Sequence, residues 1–357
     1  MQRDRTDTDS TCSQPLRPSH PSHPLHSCIP CIDQPAGAIH SFRESRATVI
    51  LPFDEAGTGR PIVLLHARPT NRSMWRAHLP LLARAGVRAI ALDLPGHGDA
   101  VLPRRHETTP WTDVLDTLDH LGVDRFVLAG NSLGALVALQ VAVTEPQRVQ
   151  GLVAVGYRPH DMKPSSRLRT AWDEERVALE ADDIEAAVRA GVEAWISPKA
   201  SEDVRAQAAV MMRGQLVARV AYGEPKAAAD PLGEDPGALR ALTVPALVGV
   251  GAFDMPDFFE GGARLSDELK AGEVAVLADA GHLAPLEQPA AFCALLLDFV
   301  DRLPAQSSER PPGTDRRVAG SGGSRQADLE PVDRDADRQR TPSGLHDGAG
   351  RPGLRLR

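Results

Sequence analysis

Apolar residues in this chain gather into short runs separated by longer mixed stretches. Runs of strand length recur at 61–66, 87–93, 126–129, 149–155 and 244–250. With few polar residues interleaved (Arg88 and Gln150 among them), such runs fit strands buried on both faces of a parallel sheet. The stretches at 74–85, 109–120 and the Ala/Leu/Val run after Ser132 read as helices. Thr109 and Pro110 open the second of these with a capping hydroxyl and a proline at the first helical position. Residues 48–53 read as an opening strand and 55–59 as a turn. Strand and helix alternate from 48 to 155, which predicts right-handed βαβ units and a mostly parallel sheet.

The pattern then changes. Helix formers dominate at 166–179, 184–195 and 202–222, with no strand signal among them. The earlier regime resumes with the strand at 244–250, a helix at 262–270, a strand at 273–277 and a closing helix at 290–303. The predicted organisation is an α/β core over 46–156 and 241–304, with a helical cap, 157–240, inserted over the sheet's C-terminal edge. Residues 1–45 and 305–357 are polar and poor in aromatics. Such segments bury too little apolar surface to offset their ordering entropy, so both tails are expected to be disordered.

Composition changes this picture little. The 357 residues are 42% hydrophobic and carry a formal charge of −8, without the basic face that nucleic-acid binding requires. No apolar run approaches the roughly 18 residues of a membrane span, and the first residues lack an apolar signal core. A cytoplasmic location is therefore expected. Cys28-x-x-Cys31, with His20, His23 and His26 upstream, has metal-ligand spacing but sits in a Pro/Ser/His-rich tract with no frame to hold a site. No metal and no organic cofactor are expected.

The chemistry centres on Gly130-Asn131-Ser132-Leu133-Gly134, placed between a strand-length run and a helix-length run. G-x-S-x-G in that setting is a nucleophile elbow: a sharp turn lifts the serine hydroxyl above the strand end. The bland alternative is a turn in which Ser132 merely caps the helix. A serine nucleophile needs a base, and the base needs an orienting group. In an elbow fold these follow in the order serine, acid, histidine. Asp254 stands just past the strand at 244–250, and His282 stands in the loop after the strand at 273–277. Asp257 is open as a rival acid or as a cap for the helix that follows.

Together with His66 at its strand end and Asp93-Leu94-Pro95-Gly96-His97-Gly98, these segments make the chain resemble a serine member of the α/β-hydrolase superfamily with a helical cap. The resemblance covers about 47–303. It implies that Ser132 attacks a carbonyl to form an acyl-enzyme, His282 shuttles the proton and Asp254 holds the imidazole tautomer. It also implies an oxyanion hole from the Leu133 N–H and a second donor after His66. Relatives usually carry His-Gly there; this chain has His66-Ala67, and Arg68 N–H is the best candidate by position. Asp99 is a second departure, standing where a small hydroxyl residue is usual. His66 reads as a structural hydrogen-bonder.

Trp172, Trp195, Met211 and Met212 of the cap, with Phe253 and Leu283 beside the proposed triad, are candidates for an apolar acyl pocket, with core packing as the plainer role for each. The nucleophile excludes relatives that open epoxides or cleave carbon–halogen bonds, which use aspartate at the elbow. The expected activity is hydrolysis of a small ester or lactone by a monomer or homodimer. The alternatives are carbon–carbon hydrolysis, perhydrolysis, or a ligand-binding or signalling role with little turnover.

Overall fold

The computed structural model describes residues 48–100, 107–235 and 237–304. The expectations for both tails and for the Cys28-x-x-Cys31 tract lie outside these residues. In chain order the strands are β1 (Phe53–Ala56), β2 (Arg60–Leu65), β3 (Val87–Leu92), β4 (Glu107–Thr108), β5 (Phe126–Asn131), β6 (Val149–Val155), β7 (Lys226–Ala227), β8 (Ala246–Gly251) and β9 (Ala275–Leu277). The α-helices are α1 (His78–Arg84), α2 (Pro110–His120), α3 (Leu133–Thr144), α4 (Ser166–Glu180), α5 (Ile184–Trp195), α6 (Glu202–Tyr222), α7 (Pro231–Glu234), α8 (Ala238–Ala241), α9 (Pro256–Leu269), α10 (Ala284–Glu287) and α11 (Pro289–Asp301).

Seven strands form one sheet in the order β1-β3-β2-β5-β6-β8-β9. Only the edge pair β1–β3 is antiparallel; every other pairing in this sheet is parallel. The mostly apolar runs split by the strand period of two. Ile62, Leu64, Val127, Ala129, Val153 and Val155 face a core containing Trp75, Phe292 and Leu296. Val63, Leu65, Phe126, Leu128, Leu152 and Ala154 face a second core with Val114, Ala138 and Leu265. Helices α1 and α11 thus cover one face, and α2, α3 and α9 the other. The sheet is a mostly parallel layer between two helical layers.

Several boundaries differ from the expectations. The first strand lies at Phe53–Ala56 rather than 48–53, because its register is set by pairing with β3 and not by its own apolar pattern. The helix expected at 74–85 is a 3-10 turn at Arg72–Trp75 followed by α1. Thr109 makes no side-chain capping bond at the start of α2. A short strand, β7, pairs in parallel with β4 near the end of the helical insertion, where no strand was expected. Helix α9 starts at Pro256, ahead of the expected 262, and runs through Gly261-Gly262. Gly261 is there for close packing: a Cβ would lie 2.6 Å from the Tyr157 carbonyl oxygen.

Helices α4, α5 and α6 pack on one another through Ala178, Ala187, Val188 and Leu216. Among the described residues no helix is long and apolar enough to cross a membrane.

His78 is fully buried, its ring 4.9 Å from Trp75 and 5.6 Å from Phe292. Burial pushes its pKa down to about 4, against about 6.5 in an unfolded chain. Between those values the unfolded state binds the extra proton, so stability falls as pH drops through this window, by about 3 kcal/mol at most from this residue. Urea titrations from pH 7 to 4 should show that loss, and His78→Leu should flatten part of it. An unchanged slope in the variant would rule His78 out as the source.

Candidate active site

Ser132 stands between the end of β5 and the first turn of α3 with φ 54° and ψ −109°, a positive φ that a side chain rarely adopts. Its flanking glycines permit the turn. A Cβ on Gly130 would overlap the Gly134 carbonyl, and one on Gly134 would overlap the Leu65 carbonyl of β2. The Ser132 N–H donates to Val155 O at 2.8 Å, which holds the strained residue against β6. The Ser132 side chain makes no capping bond to α3, so its hydroxyl is free for other work.

That hydroxyl lies 2.8 Å from His282 Nε2, and His282 Nδ1 lies 3.0 Å from Asp254 Oδ2. Since the carboxylate can only accept, Nδ1 carries the proton and Nε2 is left to accept from Ser132. Asp254 is 6% and His282 3% exposed. The second carboxylate oxygen, Asp254 Oδ1, accepts from the Met255 N–H at 2.7 Å. The arrangement is a buried hydrogen-bonded line from carboxylate to imidazole to hydroxyl, with the geometry needed to deprotonate the serine.

Asp257 has other commitments. Its carboxylate accepts from the Ser165 N–H at 2.7 Å and from the Ser165 hydroxyl at 2.5 Å. Burial pushes its carboxyl up, but these donors outweigh that and hold it below the ordinary aspartate range. Ser165 in turn caps α4 by accepting from Leu168 N–H. Asp257 therefore fastens the insertion to α9.

Two further residues hold the His282 loop, and the motif reading passed over both. Asn131 is fully buried, and its Nδ2 donates to His282 O at 3.0 Å and Val155 O at 3.2 Å. Glu287 is also buried; it accepts from Gly281 N–H at 2.9 Å and from Ser197 N–H at 2.8 Å. Asn131 lies inside G-x-S-x-G at the variable position, and Glu287 follows His282 on α10, so proximity to the motifs is the signal that would have flagged them.

Leu133 is the first residue of α3, so its N–H has no partner within the helix and points where negative charge is favoured. Ala67 is fully buried and is not among the positive-φ residues, so alanine there carries no left-handed strain. The Arg68 side chain is exposed and pairs with Glu224. His66 accepts from Leu94 N–H through Nε2 at 2.9 Å and donates through Nδ1 to Ala67 O at 2.8 Å. Burial first, then His97, pushes its pKa well below the ordinary value, so it is a neutral brace between β2 and β3. Asp99 pairs with Arg72 at 2.8 Å, and Arg72 also pairs with the buried Asp93.

A cleft of about 240 Å³ opens onto Ser132 and His282. Trp172, Trp195, Leu133, Leu136, Phe258 and Tyr157 are among its walls, with Arg68, Arg158 and Arg219 also lining it. Of the expected pocket residues, Trp172 and Trp195 line this cleft. Met211, Met212 and Leu283 are buried in the core, and Phe253 is at the surface with 36% exposure. Their side chains are taken up by packing or solvent instead. Phe258, not expected, packs against His282 with ring centroids 4.0 Å apart and the planes tilted by 41°.

The profile of the Alpha/beta hydrolase family matches residues 62–295. The chain belongs to the alpha/beta hydrolase family. Among solved structures, the chain is similar to an esterase from Thermogutta terrifontis, with 26% identity and a TM-score of 0.58 over 70% of this chain and 93% of that one. It is likewise similar to Est816, described as an N-acyl homoserine lactone degrading enzyme: 27% identity, TM-score 0.56, 70% of this chain and 96% of that one. The 2-hydroxymuconate semialdehyde hydrolase of Pseudomonas sp. (strain CF600) is 27% identical over 69% of this chain and 88% of its own length. The first curated relatives matched are covered over only 23 to 40% of their length, the mouse bifunctional epoxide hydrolase 2 over 23%.

The elbow geometry makes one substitution decisive. Gly134→Ala should destabilise the protein by about 1–3 kcal/mol through overpacking against β2, and displace Ser132 enough to abolish labelling by a fluorophosphonate probe. Urea titration and probe labelling check both; wild-type behaviour in both would refute the close-approach argument.

Proposed function

We propose that this protein is a cytoplasmic serine hydrolase cleaving a small carboxylic ester or lactone, with Ser132 as nucleophile, His282 as base and Asp254 as the orienting acid. The observation that carries the reading is the Asp254–His282–Ser132 hydrogen-bonded line opening into the cleft, at 3.0 and 2.8 Å. Similarity to an esterase and to a lactone-degrading enzyme supports the substrate class. In the proposed reaction His282 Nε2 takes the Ser132 proton as Oγ adds to the substrate carbonyl. The oxyanion that forms is met by the N–H groups of Leu133 and Arg68. The carbon–oxygen bond then breaks, His282 returns the proton to the leaving alkoxide, and water repeats the sequence to release the acid. In this reading α4–α6 form the cap, and Trp172 and Trp195 supply apolar walls for the acyl group. The step needs no metal or organic cofactor.

A second reading, hydrolysis of a carbon–carbon bond beside a ketone, is favoured by the extent of similarity to the semialdehyde hydrolase. It uses the same three residues and differs in the leaving group, a carbanion equivalent that must be protonated on carbon.

A panel of p-nitrophenyl esters, lactones and a vinylogous diketone separates the two. Ser132→Ala should abolish turnover of the preferred class while leaving the fold intact by circular dichroism; equal rates in wild type and variant would sink both readings. Asp254→Asn should lower kcat by roughly 10⁴-fold through loss of the correct tautomer. Asp257→Asn should stay within a few-fold of wild-type kcat, since Asp257 serves Ser165. The reverse ranking would reassign the acid.

A further inference from the structure

Glu287 is a buried carboxylate five residues past His282, and no arginine or lysine pairs with it among the described residues. Its two oxygens diverge to two different segments. Oε1 accepts from Gly281 N–H, immediately before His282; Oε2 accepts from Ser197 N–H, just past the end of α5. The next donor along the loop, His282 N–H, bonds to Trp195 O at 3.0 Å. Thus consecutive backbone N–H groups of the loop are tied to the end of α5, one directly and one through the Glu287 carboxylate. The Trp195 ring lies 5.0 Å from the His282 ring and lines the cleft.

We propose that Glu287 is a positioning residue for His282: its buried carboxylate bolts the histidine loop to the end of α5, so that base and cleft wall are set as one unit. This rests on the serine-hydrolase reading. A loop histidine held by its backbone alone would leave Nε2 free to drift from the serine, and proton transfer requires hydrogen-bond reach. Glutamate suits the place because two converging N–H donors need two acceptors, and charge-assisted bonds to N–H groups are strong. Glutamine has the same shape but offers one oxygen, and would set its amide N–H₂ against the other donor.

The test is a double-mutant cycle on the full chain with a short p-nitrophenyl ester. Glu287→Gln should lower kcat by roughly 10- to 100-fold with KM little changed, as expected for a slightly misplaced base. In a His282→Ala background the same substitution should leave the residual rate unchanged, because no base remains to be positioned. Glu287→Asp, which keeps both acceptors on a shorter stem, should recover part of the loss, and it serves for the cycle if the glutamine variant does not fold. Wild-type kcat in Glu287→Gln, or an equal loss in both backgrounds, would overturn the positioning role and leave the hydrolase reading intact. Wild-type turnover in His282→Ala alone would overturn both.

Discussion

The strained turn at Ser132 is the constraint on which the rest of the site depends. A positive φ on a residue with a side chain is unfavourable and persists only where its surroundings over-determine it. Here the surroundings do so from three sides. The Ser132 N–H is taken by Val155 O on β6, Gly134 is pressed against the Leu65 carbonyl of β2, and Asn131 bridges to both Val155 O and His282 O. The turn is therefore fixed by the two strands flanking β5, and the parallel sheet is what places those strands there.

From this point the site builds outward by hydrogen bonds to backbone. Asn131 links the elbow to the His282 loop, while Trp195 O and Glu287 link the same loop to the helical insertion. Asp257 and Ser165 make a second fastening between insertion and core. The two fastenings explain how helices with their own small core, around Ala187 and Leu216, stay registered over the strand ends. They also show buried carboxylates used as struts: each accepts from a pair of donors that reach it from the partner segment or loop.

The same logic separates the two aspartates that follow the end of β8. Asp254 and Asp257 are both buried, and their separation in sequence says nothing about which faces His282. Pro256 starts α9 between them and turns Asp257 towards Ser165, leaving Asp254 towards the histidine. Ala67, the departure from the usual His-Gly pair, sits without left-handed strain, so the backbone after β2 has no requirement for glycine at that position.

What the chain's own sequence determined is local or periodic. Mostly apolar runs marked β2, β3, β5, β6 and β8, since a strand buried on both faces must be apolar at nearly every position. Two glycines around a serine marked the elbow, since only glycine tolerates such close passage of neighbouring chain. Order along the chain made Asp254 and His282 candidates and left Asp257 open as a rival acid; only the fold turned Asp254 to the histidine. Tertiary structure decided the rest. It moved β1 to where β3 offers unpaired backbone, carried α9 through its glycines, sank Met211, Met212 and Leu283 into the core, and brought Phe258 against His282. Glu287 is the clearest case: a glutamate in a sequence carries no sign of whether water or two distant N–H groups will satisfy its oxygens. That depends on which segments the sheet brings together, because the energy of a buried carboxylate is set by its partners in space.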